Sequence, residues 1–176
     1  DACICVCGPD IRWCGNEAGD VRKSEWSVVP ARTALAESVQ ERSQQTDDEE
    51  FRMRRITSDM EDLGSRKALE GETDLIWYPA EVNTSIRPGW FYHPEEDDRV
   101  KTVDELTDLY YRSVGHNATL LLNFPVDRDG LIHPTDSANA VNFHQNVQKQ
   151  LAHNLLAGLS PKASDERGRT FSAKAV

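Results

Sequence analysis

Seven residues, Ala118-Thr119-Leu120-Leu121-Leu122-Asn123-Phe124, constrain the fold more than any other stretch. They are almost wholly apolar. A strand with one solvated face alternates apolar and polar residues. A continuous apolar run of this length reads instead as a strand buried on both faces of a parallel sheet. A parallel neighbour requires a crossover, and the chain supplies a helix just before the run. Thr102 and Glu105 form a capping box, Val103, Leu106, Leu109 and Tyr110 share one helical face, and Gly115 closes the pattern. Helix followed by buried strand predicts a βαβ unit.

Two other runs read as buried strands, Ala2-Cys3-Ile4-Cys5-Val6 and Asp74-Leu75-Ile76-Trp77-Tyr78. Pro79 breaks the second, and residues 81–86 continue extended. Residues 31–46 carry Ala31, Leu35 and Val39 at helical spacing. A second helical pattern follows Asp47-Asp48-Glu49-Glu50, with Met53, Ile56, Met60 and Leu63 on one face and Gly64 at its end. The dense charge of 40–72 reads as a solvated face or an insertion away from any chemistry. Thr135 and Asp136 offer caps for a last helix, with Val141, Val147, Leu151 and Leu155 apolar and Gly158 and Pro161 as stops.

Strands separated by helical segments predict an α/β fold with a parallel sheet. Three strands do not close a barrel, and a (β/α)8 barrel needs ~250 residues. The expected architecture is therefore the C-terminal part of a TIM-like barrel, truncated at both ends. Residues 1–158 form that part, and residues 159–176 are a linker and the start of a β-sandwich domain. An open doubly wound sheet is the alternative, but no Gly-rich phosphate fingerprint follows any strand. The chain opens directly on a strand, so an earlier part of the domain is expected to be missing.

The formal net charge of the 176 residues is -10, and no basic patch offsets it. That disfavours nucleic acid and anionic membrane surfaces as partners. No apolar run approaches the ~20 residues of a membrane helix. All four cysteines, Cys3, Cys5, Cys7 and Cys14, fall in the first 14 residues. They lack the paired spacing of a zinc site and the spread of a disulfide framework, and read as small apolar residues beside a strand. His93 and His116 are not at metal-ligand spacing either. No metal and no cofactor are expected.

Asp10-Ile11-Arg12-Trp13-Cys14-Gly15-Asn16-Glu17-Ala18-Gly19 is the candidate site. It follows an expected strand, and parallel α/β folds keep their chemistry at strand C-terminal ends. Glu17 stands between two glycines that let a backbone approach a ligand closely, and is the candidate general acid/base. Arg12 and Asn16 are near enough in sequence to orient it or to bind hydroxyls. Trp77, Trp90, Phe91 and Tyr92 are expected on the same rim. Aromatic faces beside carboxylates and amides suit a sugar, whose C–H face stacks on a ring while its hydroxyls take hydrogen bonds. For Phe91 and Tyr92 core packing is preferred.

The blocks Gly8-Pro9-Asp10-Ile11-Arg12-Trp13-Cys14-Gly15-Asn16-Glu17-Ala18-Gly19, Trp77-Tyr78-Pro79-Ala80-Glu81-Val82-Asn83, Ser85-Ile86-Arg87-Pro88-Gly89-Trp90-Phe91-Tyr92-His93 and Leu120-Leu121-Leu122-Asn123 resemble α-L-fucosidases of glycoside hydrolase family 29. The first block looks most like the branch associated with α-1,3/1,4-linked fucose. The resemblance implies a β/α barrel followed by a β-sandwich, retaining hydrolysis of α-L-fucosides, and a fucosylated oligosaccharide or glycoconjugate as substrate. It also implies a secreted, periplasmic or lysosomal setting. Glu17 matches the acid/base and Trp90 the aromatic wall of the fucose pocket. Arg12, Trp13, Trp77 and Glu81 fall at the pocket rim or behind it. The family's nucleophilic Asp belongs to an earlier strand with no match here. A retaining pair stands ~5–5.5 Å apart, and Asp10 and Glu81 are the local candidates for the second carboxylate. The chain alone is therefore expected to be inactive and poorly folded. A non-catalytic carbohydrate-binding module and a glycosidase for another sugar are the competing readings.

Overall fold

A computed structural model of the chain describes Cys3 and residues 10–14, 17–34, 63–160 and 162. Apart from an exposed Cys3, the expected strand over 2–6 lies outside the described residues. So do most of the two helical patterns over 35–62 and nearly all of 159–176 beyond Ser160.

Three parallel strands form the main sheet, in the order β1 (Arg12–Trp13), β4 (Ala80–Ser85), β5 (Ala118–Asn123). A separate antiparallel pair joins β2 (Val28–Pro30) to β3 (Leu75–Trp77). Two helices follow, α1 (Val103–Ser113) between β4 and β5, and α2 (Pro134–Leu151) after β5. The β4–α1–β5 crossover is the expected βαβ unit.

β4 is central, and five of its six residues are buried. Successive side chains point to opposite faces. Ala80 and Val82 pack with Cys14, Val21, Ala118 and Leu120 on the helix-covered face. Leu106 and Leu109 of α1 meet Ile86 and Val100 there, flanked by Leu122, Phe124 and Phe143. Leu106 and Ile86 are fully buried, and each such side chain contributes about 1.5–3 kcal/mol. Glu81, Asn83 and Ser85 alternate onto the other face of β4.

The cap of α1 is as expected. The Thr102 hydroxyl accepts the Glu105 backbone N–H, and the Glu105 carboxylate accepts the Thr102 backbone N–H at 2.7 Å. These bonds hold the Glu105 carboxyl below its ordinary value. The helix stop differs from expectation. A 3-10 turn, Val114–His116, extends α1, and Asn117 takes the left-handed conformation at φ 70°. Asn does so at low cost, so Asn117, not Gly115, ends the segment.

Four expectations need correction. Arg12 and Trp13 are strand, not loop. The run over 74–78 is not a buried strand of the main sheet. It pairs antiparallel with β2 and leaves Leu75 and Trp77 exposed, while the segment read as its continuation is β4. Pro79 explains the switch, since it has no N–H for a continuing ladder. β5 is not buried on both faces: Leu121 is 45% exposed, because α1 covers one face only. The last helix begins at Pro134 behind His133 and ends at Leu151. Its buried residues are Asp136 and Val147, whereas Val141, Leu151 and Leu155 are exposed.

Gly19 sits at φ 81°, and a Cβ there would collide with Leu109 Cδ1. Gly19→Ala should lower stability by about 1–3 kcal/mol, from left-handed backbone strain and the clash. A urea midpoint equal to wild type would refute this.

Candidate active site

Two polar clusters occupy the two ends of the parallel sheet. The first is at the N-terminal ends of β1 and β4. The Arg12 backbone N–H donates to the Pro79 carbonyl at 3.0 Å. Its guanidinium is buried and donates to Glu25 at 2.9 Å, to the Tyr78 carbonyl at 3.1 Å and to the Trp26 carbonyl at 2.7 Å. Glu25 is fully buried and also accepts the Arg22 backbone N–H at 2.9 Å and the Arg22 guanidinium at 3.2 Å. Burial pushes the Glu25 carboxyl up. The charge of Arg12 and the hydrogen bond and charge of Arg22 more than offset that, so it lies below its ordinary 4.5.

A buried charge stripped of its partner is costly, about 3–5 kcal/mol. Glu25→Gln should destabilise on that scale at neutral pH. Because the folded carboxyl is lowered, its stabilisation is full above the unfolded value and lost as pH falls through the folded one. The gap between wild type and Glu25→Gln should therefore shrink below about pH 4.5. Thermal midpoints across pH 3–7 check this, and a gap independent of pH would refute it.

The second cluster is at the C-terminal ends. The chain leaves β1 through Cys14, whose N–H donates to the Glu81 carbonyl at 2.8 Å, and reaches Glu17 three residues on. The loop after β4 carries Trp90. The Trp90 indole N–H donates to Glu17 Oε2 at 2.7 Å, and both side chains are half-buried. The other face of β4 leads up to this pair: the Trp13 indole donates to Asn83 Oδ1 at 2.6 Å.

The Trp90 loop is held from below. Ser85 ends β4 and Asn123 ends β5, paired in register. The Asn123 amide nitrogen donates to Ser85 Oγ and to the Trp90 carbonyl, both at 3.1 Å. Arg87, 1% exposed, donates twice to the buried Asp136 of α2, at 2.7 and 2.8 Å. It also pairs with Asp97 at 2.9 Å and lies 4.6 Å above the Tyr92 ring. The hydrogen bond to Asp136 raises the Arg87 pKa above its ordinary value.

Chemically, a half-buried carboxylate beside an indole donor can pass a proton to or from a ligand oxygen. The structure brings Glu17 and Trp90 together. It does not bring Arg12 or Trp77 to them. Both lie at the opposite end of the sheet, since β4 rises about 16 Å between Ala80 and Ser85. Arg12 is consumed by the Glu25 network, and Trp77 is 70% exposed beside Val28. The two tryptophans do not share a rim, because Trp77 precedes β4 and Trp90 follows it. Asp10, exposed before β1, and Glu81, second residue of β4, also lie toward the N-terminal end. Among the described residues no three His, Cys, Asp or Glu side chains converge as metal ligands, and no helix is long and apolar enough to cross a membrane.

Asn83, Ser85 and Asn123 are additions that sequence reasoning missed. Their signal was the alternation within Ala80–Ser85, which sets Glu81, Asn83 and Ser85 on one face. Cys14 is buried on the other face. Burial, with Glu25 nearby, pushes its thiol up to about 12. Iodoacetamide at about pH 8 should leave Cys14 unlabelled in the native chain and label it in denaturant, because only thiolate reacts. Native labelling at Cys14, read by peptide mass mapping, would refute this.

No protein-family model matches the chain. Alpha-L-fucosidase 1 of Arabidopsis thaliana is 32% identical over 162 residues, covering 92% of this chain and 27% of that protein. A glycoside hydrolase 29 family member from an unknown rumen bacterium superposes with a TM-score of 0.58 at 35% identity, covering 89% of this chain and 23% of that one. A Ruminococcus gnavus GH29 fucosidase, solved in complex with fucose, superposes at 0.59 with 26% identity, covering 88% and 27%. The chain thus spans about a quarter of the length of the curated relatives it matches. Those relatives are glycoside hydrolases. By sequence and by structure this chain is α-L-fucosidase-like, similar to members of glycoside hydrolase family 29.

Proposed function

We propose that this chain supplies the acid/base half of an α-L-fucosidase active site that hydrolyses terminal α-L-fucosyl linkages with retention. The observation that carries this reading is the Glu17–Trp90 pair at the C-terminal ends of the parallel strands, in a chain that resembles fucosidases over most of its length. Glu17 protonates the glycosidic oxygen as it leaves, then takes a proton from the water that opens the glycosyl-enzyme. Trp90 presents its ring to the apolar C5 methyl side of fucose, while its N–H holds Glu17.

The reaction needs a second carboxylate as nucleophile. Asp10 and Glu81 lie toward the other end of the sheet, and the resemblance assigns the nucleophilic Asp to an earlier barrel strand with no match in this sequence. The catalytic domain is a TIM-like barrel of which residues 1–158 are the C-terminal part, and residues 159–176 lead into a β-sandwich. The substrate is a fucosylated oligosaccharide or glycoconjugate, met in a secreted, periplasmic or lysosomal setting. The 176 residues alone do not turn over fucosides. An all-β carbohydrate-binding module does not fit a parallel sheet covered by α1 and α2.

In the full-length enzyme, Glu17→Gln should lower turnover of natural fucosides by about 10²–10⁴ and spare aryl fucosides with good leaving groups. Azide should partly restore the second step on activated substrates. Near wild-type turnover of natural fucosides by Glu17→Gln would overturn the assignment. Preference for another sugar across a panel of aryl glycosides would overturn the substrate.

A further inference from the structure

The Trp90 loop has no regular secondary structure between Ser85 and the 3-10 turn at Pro94–Glu96. Its geometry over Glu17 must come from side chains that grip it. One side chain touches both the strand end and the residue that carries the indole. Asn123 Nδ2 lies 3.1 Å from Ser85 Oγ and 3.1 Å from the Trp90 carbonyl. The assignment of this amide is fixed by chemistry, because a carbonyl only accepts and the NH2 group must face it. The Ser85 hydroxyl also accepts the Arg87 backbone N–H at 3.3 Å. One carboxamide therefore links the end of β5, the end of β4 and the backbone of Trp90.

From this network we propose that Asn123 is a positioning residue for Glu17, acting through Trp90. It holds the Trp90 backbone so that the indole N–H meets Glu17 Oε2 at 2.7 Å. Without it, the carbonyl of Trp90 loses its anchor while Arg87 still clamps the loop base to Asp136. The indole then drifts, and Glu17 loses the donor that fixes its carboxylate plane. Asn123 never touches the sugar. The consequence is selective in the first step: proton delivery to the leaving group suffers, while any slackening of the Trp90 wall acts alike on every fucoside. In chemical terms, only leaving groups that need a proton in the transition state register the loss.

This rests on the reading of Glu17 as acid/base, so the test has two arms. In the full-length enzyme, Asn123→Ala and the near-isosteric Asn123→Asp, which removes the NH2 donor, are assayed on an activated aryl α-L-fucoside and on a poor-leaving-group fucoside. Both variants should lose at least about tenfold more kcat/KM on the poor leaving group than on the activated one. In the same protein, the Trp90 indole N–H resonance, assigned by Trp90→Phe, should shift in both variants in the direction seen for Glu17→Gln. Equal kcat/KM losses on the two substrates would overturn the role, as would an indole resonance unmoved in the Asn123 variants. If Glu17→Gln leaves natural turnover intact, the acid/base reading itself fails, and the indole arm still decides whether Asn123 holds the Trp90–Glu17 contact.

Discussion

The parallel register between β4 and β5 is the constraint on which the rest depends. It aligns Ala80 with Ala118 at one end and Ser85 with Asn123 at the other. Side chains in a strand alternate, so a slip of one residue would turn every one of them to the wrong face. In the native register Val82 and Leu120 share the α1 face with Ala80 and Ala118. The same register brings the Asn123 amide to Ser85, and from there to the Trp90 loop. Hydrophobic burial on one face thus sets polar geometry at the far end of the strands.

The two ends of the sheet spend their polar residues differently. At the N-terminal end Glu25 accepts from both Arg12 and Arg22, and Arg12 also donates to nearby carbonyls. Residues at that end of parallel strands serve stability in barrel enzymes. At the C-terminal end the closed pair is Arg87–Asp136, which fastens the loop to α2. Above it the Glu17 carboxylate stays half-buried, within reach of a ligand. The arrangement separates the buried Arg87–Asp136 anchor from the half-buried Glu17 carboxylate.

Much of this was legible from residues alone. The capping box of Thr102 and Glu105 and the βαβ order follow from local chemistry that the tertiary packing leaves intact. Glu17 and Trp90 were drawn together by resemblance, and the structure adds the hydrogen bond between them. What misled was the rule that apolar runs are buried. Leu75 and Trp77 sit on a small antiparallel pair, and nothing in a three-residue strand distinguishes that from a core strand. Arg12 was read as a ligand for hydroxyls because its partner, Glu25, lies 13 positions away in an irregular segment. Ion pairs of that kind depend on tertiary closure and leave no periodic trace. The exposed Val141 and Leu151 of α2 show the same limit, since a helical stripe predicts a covered face only where something packs against it.

Gly19 carries a consequence for how such a site can diversify. A methyl group built there would meet Leu109 Cδ1, which would have to turn aside, and touch Thr84 at ordinary contact distance. Sites on parallel sheets generally change specificity by growing or shrinking the loops at strand ends. On the Glu17 side the chain comes up against Leu109 of α1 two residues past the carboxylate, and Asp20 pairs with Arg112 at 3.1 Å. Gly89 has open space around it, one residue before Trp90. Around the Glu17–Trp90 pair, added atoms therefore find more room on the loop after β4 than where the chain meets α1.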